Sequence, residues 1–226
     1  MIAMSLILAT DFALRVPGAA TESAGVMERA VLSELNRART SPDLFVRSLR
    51  EQRGYYRGNL LLRPGADAAF VTQEGVAPVD EAIAFVSGET AEAPLLPALV
   101  LAAAAADHQA DQRTSGLVGH AGGDGSGPSD RVRRHGGDVY VGEVIAYGAT
   151  DPAEVVRQLI VDDGVADRGH RRLLYDRSLR YAGVSCGAHP VYRYMCVVTL
   201  SRTPDGQPAR YGAMRLSARA GTMRSS

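Results

Sequence analysis

Nine residues in the middle of the chain, Gly119–Gly127 (GHAGGDGSG), carry five glycines. That much backbone freedom is too costly to fix in a helix or strand, so the segment is a loop, and it divides the chain. Before it, Ala98 to Thr114 is dense in alanine and reads as a helix with Gly116 as its stop. After it, Tyr140 to Tyr147 (YVGEVIAY) reads as extended. The loop holds His120, at a place where a side chain is exposed and the backbone can approach a ligand.

The flanking segments have their own periodicity. Met27, Ala30, Val31, Leu35 and Ala38 recur at helical spacing, which predicts a helix over Thr21 to Arg39. Ser41-Pro42 ends it, and Pro42 starts a second helix reaching about Arg53. Residues 54–72 read as irregular, and Pro78 to Phe85 as a short acidic helix. Asp151-Pro152-Ala153-Glu154 is a helix start, with Asp capping and Pro in the first turn. Val155, Val156, Leu159 and Ile160 continue this helix to Asp163, where Gly164 breaks it. Leu173 and Leu174 lie in a short turn or helix. Tyr181 to Cys186 and Tyr192 to Leu200 read as two strands joined at His189-Pro190. Helices come first and the clear strand pair late, so the class is α+β.

Length and charge narrow the function. The chain has 226 residues, 46% hydrophobic, enough for a core that needs no disulfide framework. Basic and acidic residues number 25 each, and there is no basic stripe of the kind that marks a nucleic-acid binder. Every basic residue is arginine, which removes lysine chemistry such as a Schiff base. Met1 to Thr10 is apolar but too short to span a bilayer. With Gly18-Ala19-Ala20 after it, residues 1–20 read either as a truncated signal peptide or as a tail. Residues 21–202 read as one domain, and 203–226 as a loose, arginine-rich tail.

Five histidines exist. His108 falls on the stripe Leu101, Ala104, Ala105, His108, Gln112 and reads as a packed structural residue. His135 beside Arg133 and Arg134 reads as solvated, and His189 precedes the hairpin proline. His120 and His170 sit in glycine-containing loops. Glu143 lies inside an apolar extended run, where a carboxylate must be paired, face a cleft, or lie on the wet face of an edge strand. Asp162 and Asp163 end the helix from Asp151. Asp163 continues the Val156–Ile160 stripe and Asp162 the Val155–Leu159 stripe, so helical spacing does not choose between them. A carboxylate there opposes the helix dipole; two adjacent ones mark a local demand for negative charge, from a cation or from Arg168. Two histidines and two acids make either a zinc or other divalent-cation set or a network in which each imidazole is held by an acid. No G-x-S-x-G elbow and no phosphate-binding GxxxxGK[ST] loop accompanies them.

The order of these pieces resembles the bacterial branch of the CAP superfamily, which groups cysteine-rich secretory proteins, antigen five and plant pathogenesis-related (SCP-like) proteins. The matching stretches are Leu35-Asn36-Arg37-Ala38-Arg39, Ala106-Asp107-His108 through Gly119-His120-Ala121-Gly122, and Asp124-Gly125-Ser126. Gly142-Glu143-Val144-Ile145, Asp162-Asp163-Gly164-Val165, Arg168-Gly169-His170-Arg171 and the stretches Gly183 to His189 and Tyr192 to Val198 follow. The resemblance implies a three-layer α-β-α sandwich around a small antiparallel sheet, with a cleft built on a His-Glu-Glu-His set. Carried over, the set is His120, Glu143, Asp163 (or, as the alternative, Asp162) and His170. Val144 stands where the family has Asn, and an aspartate replaces the second glutamate. A divalent metal, zinc among them, would fall to His120 and His170.

The resemblance also implies an extracellular or periplasmic setting. It favours a binding module without enzyme activity, taking a lipid, a sterol or a partner protein; a zinc-dependent hydrolase using the same cleft and a structural cell-envelope module are the alternatives. A hairpin folding around Val191 would set Cys186 opposite Cys196, either as a disulfide in an oxidising compartment or as two buried thiols.

Overall fold

In the computed structural model, residues 18–65 and 69–208 are described, with side chains from residue 25 onward. The apolar stretch at Met1–Thr10 and the tail beyond residue 208 lie outside the described residues. Gly18, Ala19 and Ala20 belong to the first helix, α1 (Gly18–Thr40), which therefore starts three residues before the Thr21 expected from periodicity. Pro42 opens α2 (Pro42–Arg53). Residues 54–72 are not wholly irregular: β1 (Tyr56–Arg57), β2 (Leu60–Leu61) and β3 (Phe70–Val71) form a small antiparallel sheet. Then come α3 (Ala77–Ser87), the short β4 (Leu96–Pro97) and α4 (Leu99–Ser115), which Gly116 ends in the left-handed conformation at φ 69°. After the glycine loop, Pro128 starts a helix without a strong periodic signal, α5 (Pro128–Arg134).

The second half builds the main sheet. β5 (Val141–Tyr147), β6 (Tyr181–His189) and β7 (Arg193–Ser201) pair antiparallel, and β4 joins β6 in parallel, in the order β4-β6-β7-β5. Between β5 and β6 lie α6 (Pro152–Val161) and α7 (Gly169–Leu174). Asp151 caps α6 by accepting from the Glu154 amide at 2.9 Å, as its sequence predicts. The hairpin register is centred on Val191, and Cys186 pairs with Cys196; the two are joined in a disulfide.

Helices cover both faces of this sheet. α4 and α5 pack on one face, while α1 and α6 pack on the other, backed by α2, α3 and α7. The result is an α+β, three-layer α-β-α sandwich. Strand alternation sends Val144, Ala146, Cys186, Cys196 and Val198 into the larger core, while Ile145, Met195 and Val197 meet Ala105 of α4. Two glycines permit the close approaches that set the layers. A Cβ on Gly183 would lie 2.0 Å from the Ala102 nitrogen, so α4 lies directly on β6 there; on Gly142 it would lie 2.8 Å from Leu173, which lets α7 reach β5. The described end of the C-terminal tail is not loose: Asp205 and Gly206 accept backbone hydrogen bonds from Asp138 and Tyr140.

Candidate functional site

β5 is an edge strand, and one histidine comes to it from each helical layer. His120 belongs to the glycine loop that follows α4. His170 is the second residue of α7. Their ring centroids are 6.4 Å apart, so the structure brings together the two imidazoles that the sequence could only place in separate loops.

Each imidazole is held by a buried acid. His120 donates from Nδ1 to Glu143 Oε1 at 3.0 Å. His170 donates from Nδ1 to Asp162 Oδ1 at 2.7 Å. Fixing Nδ1–H leaves Nε2 as the acceptor nitrogen in a neutral ring, and neither Nε2 has a hydrogen-bond partner among the described residues.

The acid beside His170 is Asp162, the alternative, and not the Asp163 that the resemblance put first. The reason is local. Helix α6 stops at Val161, and Asp162 turns left-handed at φ 61°, so the stripe that carried Asp163 inward ends before reaching it. The turn aims the Asp162 carboxylate at the start of α7, where Oδ2 accepts from the His170 and Arg171 amides at 2.9 and 3.3 Å. Asp163 is used elsewhere: its oxygens accept from the Gln73 and Glu74 amides at 2.7 and 2.9 Å, tying the exit of β3 to α6. The demand for negative charge at this helix end is met by backbone amides. Arg168 itself donates to the Asp162 carbonyl and pairs with Glu74 and Glu81. That pairing holds the Glu74 carboxyl at about 2.

Glu143 is on an edge strand but is not wet; its side chain is 1% exposed. The partner that makes this tolerable is Arg131, which the sequence reading missed. Its Nη2 donates to both Glu143 oxygens at 3.0 and 2.9 Å and to the His120 carbonyl at 3.1 Å. Nη1 donates to the Ser126 carbonyl at 2.8 Å. One buried guanidinium thus neutralises the acid and pins both ends of the glycine loop.

His108 is the packed residue its stripe predicts. It is fully buried and donates from Nε2 to the Gly119 carbonyl at 2.8 Å. Burial pushes its pKa below the ordinary imidazole value, ahead of the opposing pull of Glu143. Gln112 also donates to the Gly119 carbonyl, and Tyr147 closes the ring by accepting from the Gly119 amide and donating to Gln112. His135 is not merely solvated; it bonds Asp107 at 2.9 Å. His189 caps the hairpin, accepting from the Val191 and Tyr192 amides.

Beside His170 lies a cavity of about 430 Å³ bounded by β5, α6 and the small β1–β3 sheet. Asp162 and Asp163 line it with His170, whereas His120 and Glu143 are outside its lining. Its inner wall carries Gln52, Arg63, Glu154 and Gln158. Phe70 and Tyr192, each about half exposed, stand among its aromatic lining.

No protein family matches the chain, and no curated protein does. Among solved structures, an extracellular protein containing an SCP domain from Bacillus anthracis str. Ames is similar. It is 17% identical, with a TM-score of 0.43, and the match covers 57% of this chain and 38% of that one.

A resident zinc takes three or four protein ligands. Here Glu143 accepts from Arg131 and His120, and Asp162 accepts from two amides and His170. Among the described residues no three of His, Cys, Asp and Glu are arranged to hold an ion. Of these four residues, the two imidazole Nε2 atoms are the donors left without a hydrogen-bond partner among the described residues.

Proposed function

We propose that this chain is an extracytoplasmic, CAP-like binding module whose cavity beside His170 holds a ligand without transforming it. The observation that carries this reading is the cavity of about 430 Å³ with the His170–Asp162 pair in its wall. Its size falls in the range of roughly 300–1,000 Å³ typical of small-ligand sites. The acids orient the imidazoles and are not free to act as bases. Neither histidine bonds a serine, threonine or cysteine side chain among the described residues, and both cysteines are joined to each other. That disulfide favours an oxidising compartment, and no described helix is long and apolar enough to cross a membrane. A divalent cation on His120 and His170 alone would be exchangeable, with water filling its other positions.

The test has two arms. Purified protein is screened for ligand-induced changes in its amide NMR spectrum with lipids, sterols and saccharides, beside the Val165→Trp variant, which fills the cavity. It is also assayed on casein and on a simple ester, with and without added zinc. Binding lost in Val165→Trp, with no hydrolysis sensitive to His120→Ala or His170→Ala, is expected. Histidine-dependent turnover, or no response to any ligand class, would overturn the reading.

A further inference from the structure

We infer that the ligand of this cavity is a short, extended, uncharged segment of polypeptide that adds as a strand to the free edge of β5. The inference rests on the reading of this cavity as a ligand site, and it makes peptides a further ligand class for that screen.

β5 ends the main sheet, with β7 on one side of it and no described strand on the other. In an antiparallel pair, residues that bond their partner alternate with residues whose N–H and C=O groups point away from it. The Gly148 amide donates to the Tyr194 carbonyl at 2.8 Å, one residue beyond the pairing of Tyr147 with Met195. The residues of β5 that bond β7 are therefore Gly142, Val144 and Ala146. Glu143, Ile145 and Tyr147 turn their backbone groups outward. Gln158 agrees with this direction, donating to the Tyr147 carbonyl at 3.0 Å. The outward amides of Glu143, Ile145 and Tyr147 and the carbonyls of Glu143 and Ile145 have no hydrogen-bond partner among the described residues.

The cavity opens onto this edge. Ile145 and Tyr147 are in its wall. The Ile145 side chain is turned away, against Ala105, Met195 and Val197, so what Ile145 offers the cavity is its backbone. The imidazoles close the Glu143 end. Their centroids are 6.4 Å apart, and an atom between two rings needs about 3.5 Å on each side, so no strand passes between them. The usable edge runs from Ile145 toward Tyr192 at the mouth. The small sheet repeats the pattern on the opposite wall. Thr72 donates to the Asn59 carbonyl, so Val71, paired with Leu60, points its backbone groups away from β2.

An unpaired edge is a template for another strand, and folded proteins blunt it with proline, bulges or outward charges. β5 has none of these. Its register with β7 is unbroken from Val141 to Tyr147, it contains no proline, and its one charged side chain, Glu143, turns in to Arg131. The edge is recessed instead, at the back of a cavity that a single short segment can enter.

These groups specify the ligand. Donors and acceptors alternate along one row at the spacing of an extended chain, and another extended backbone repeats both. An acyl chain supplies neither. The side chains of the bound segment meet Leu61, Phe70, Val71, Leu159 and Val165, walls suited to aliphatic groups. Ionic partners are already engaged: Glu154 pairs with Arg63 and Arg157, and Asp163 accepts from the Gln73 and Glu74 amides. An uncharged segment is what fits. Main-chain bonds supply its affinity and the apolar walls select its side chains, as at other strand-addition sites.

The test titrates the full chain with a mixture of acetylated, amidated pentapeptides of alanine, serine, threonine, valine and isoleucine. The same mixture N-methylated at every peptide bond, and sodium palmitate, are the contrasting probes. Amide NMR signals and hydrogen exchange are followed. The plain peptides are expected to protect the Ile145 and Tyr147 amides from exchange, and the N-methylated peptides to leave them unprotected. Ile145→Pro removes an outward N–H and leaves the ladder to β7 in place; it should weaken peptide binding about tenfold. The N-methylated peptides ask the same question without touching the fold. If palmitate or the N-methylated peptides shift signals of the cavity wall while the plain peptides leave Ile145 and Tyr147 unprotected, the peptide inference is wrong and the cavity reading stands. Protection that grows with protein concentration in the absence of peptide would assign the edge to a second copy of the chain and overturn the inference as well. If no probe acts at this cavity, the inference falls together with the reading it rests on.

Discussion

Replacing Arg131 by methionine removes the cation from Glu143 while keeping most of the side-chain volume. At 2.9 Å and an effective dielectric near 20, the gross attraction is about 6 kcal/mol. Much of that offsets the cost of desolvating both ions, so the net value of the pair is far smaller. The variant, however, keeps the carboxylate buried at 1% exposure and takes away its main partner; His120, half exposed, is left as the sole close donor. Stranding a buried charge in this way costs about 3–5 kcal/mol. For a domain of this size that lowers the melting temperature by roughly 10 °C. Adding Glu143→Gln to the variant removes the stranded charge and should recover a large part of the loss. The wild type, the single variant and the double variant are compared by urea denaturation at neutral pH. A loss below about 1 kcal/mol for Arg131→Met, or a double variant no more stable than it, would show that the pair is not the anchor of the glycine loop.

Three further outcomes follow from the same geometry. Burial holds His108 below its ordinary pKa, so the unfolded chain binds that proton more readily than the folded one. Stability should therefore be intact above about pH 6.5 and decline as pH falls below it, by up to about 1.4 kcal/mol per pH unit; urea midpoints should show a flatter profile in His108→Gln. Gly183→Ala places a Cβ 2.0 Å from the α4 backbone and should cost about 3 kcal/mol or more, whereas Gly187→Ala meets the movable Gln109 amide and should cost much less by the same assay; equal losses would contradict the close packing of α4 on β6. Asp162→Asn should change the ring nitrogen signals of His170 in NMR spectra while Asp163→Asn leaves them in place, and the reverse pattern would restore Asp163 to the pair.

The layered architecture was legible because its signals are local. The apolar stripe of α1, the Asp-Pro start of α6 and the hairpin around Val191 each lie within a few turns of chain, and the structure has all of them within a few residues of the expected ends. The residues alone placed the two imidazoles in separate loops, and only the resemblance implied that they share a cleft; what YVGEVIAY made conspicuous was a carboxylate in need of a partner. The choice between Asp162 and Asp163 was not legible, since it turns on a single left-handed residue. Periodicity assumes that the helix continues; Gly164 marks a break without saying that it comes two residues earlier. The cavity was beyond reach for a different reason. Gln52, Arg63, Phe70, Ile145, Gln158 and His170 come from separate segments, and each alone has an ordinary reading on its own element.

The buried arginines show where a signal was present and missed. Arg131 stands with Arg133, Arg134 and His135, and a charge among charges looks solvated. Only one face of α5 turns inward, and it carries Arg131 with Val132. Arg39 and Arg171 are buried in the same way. Arg39 donates to the carbonyls of Leu174, Asp176 and Leu179. Arg171 donates to those of Pro78, Ile160 and Val161, joining the start of α3 to the end of α6. A planar fork of five donors can satisfy several carbonyls at once, which the single ammonium of lysine does less well. The absence of lysine therefore acquires a physical consequence in this fold: every cation available to close helix ends and neutralise Glu143 inside the protein is one suited to do so. A buried acid in an apolar strand implies a buried cation near it, and in a chain without lysine that cation has to be an arginine or a protonated histidine.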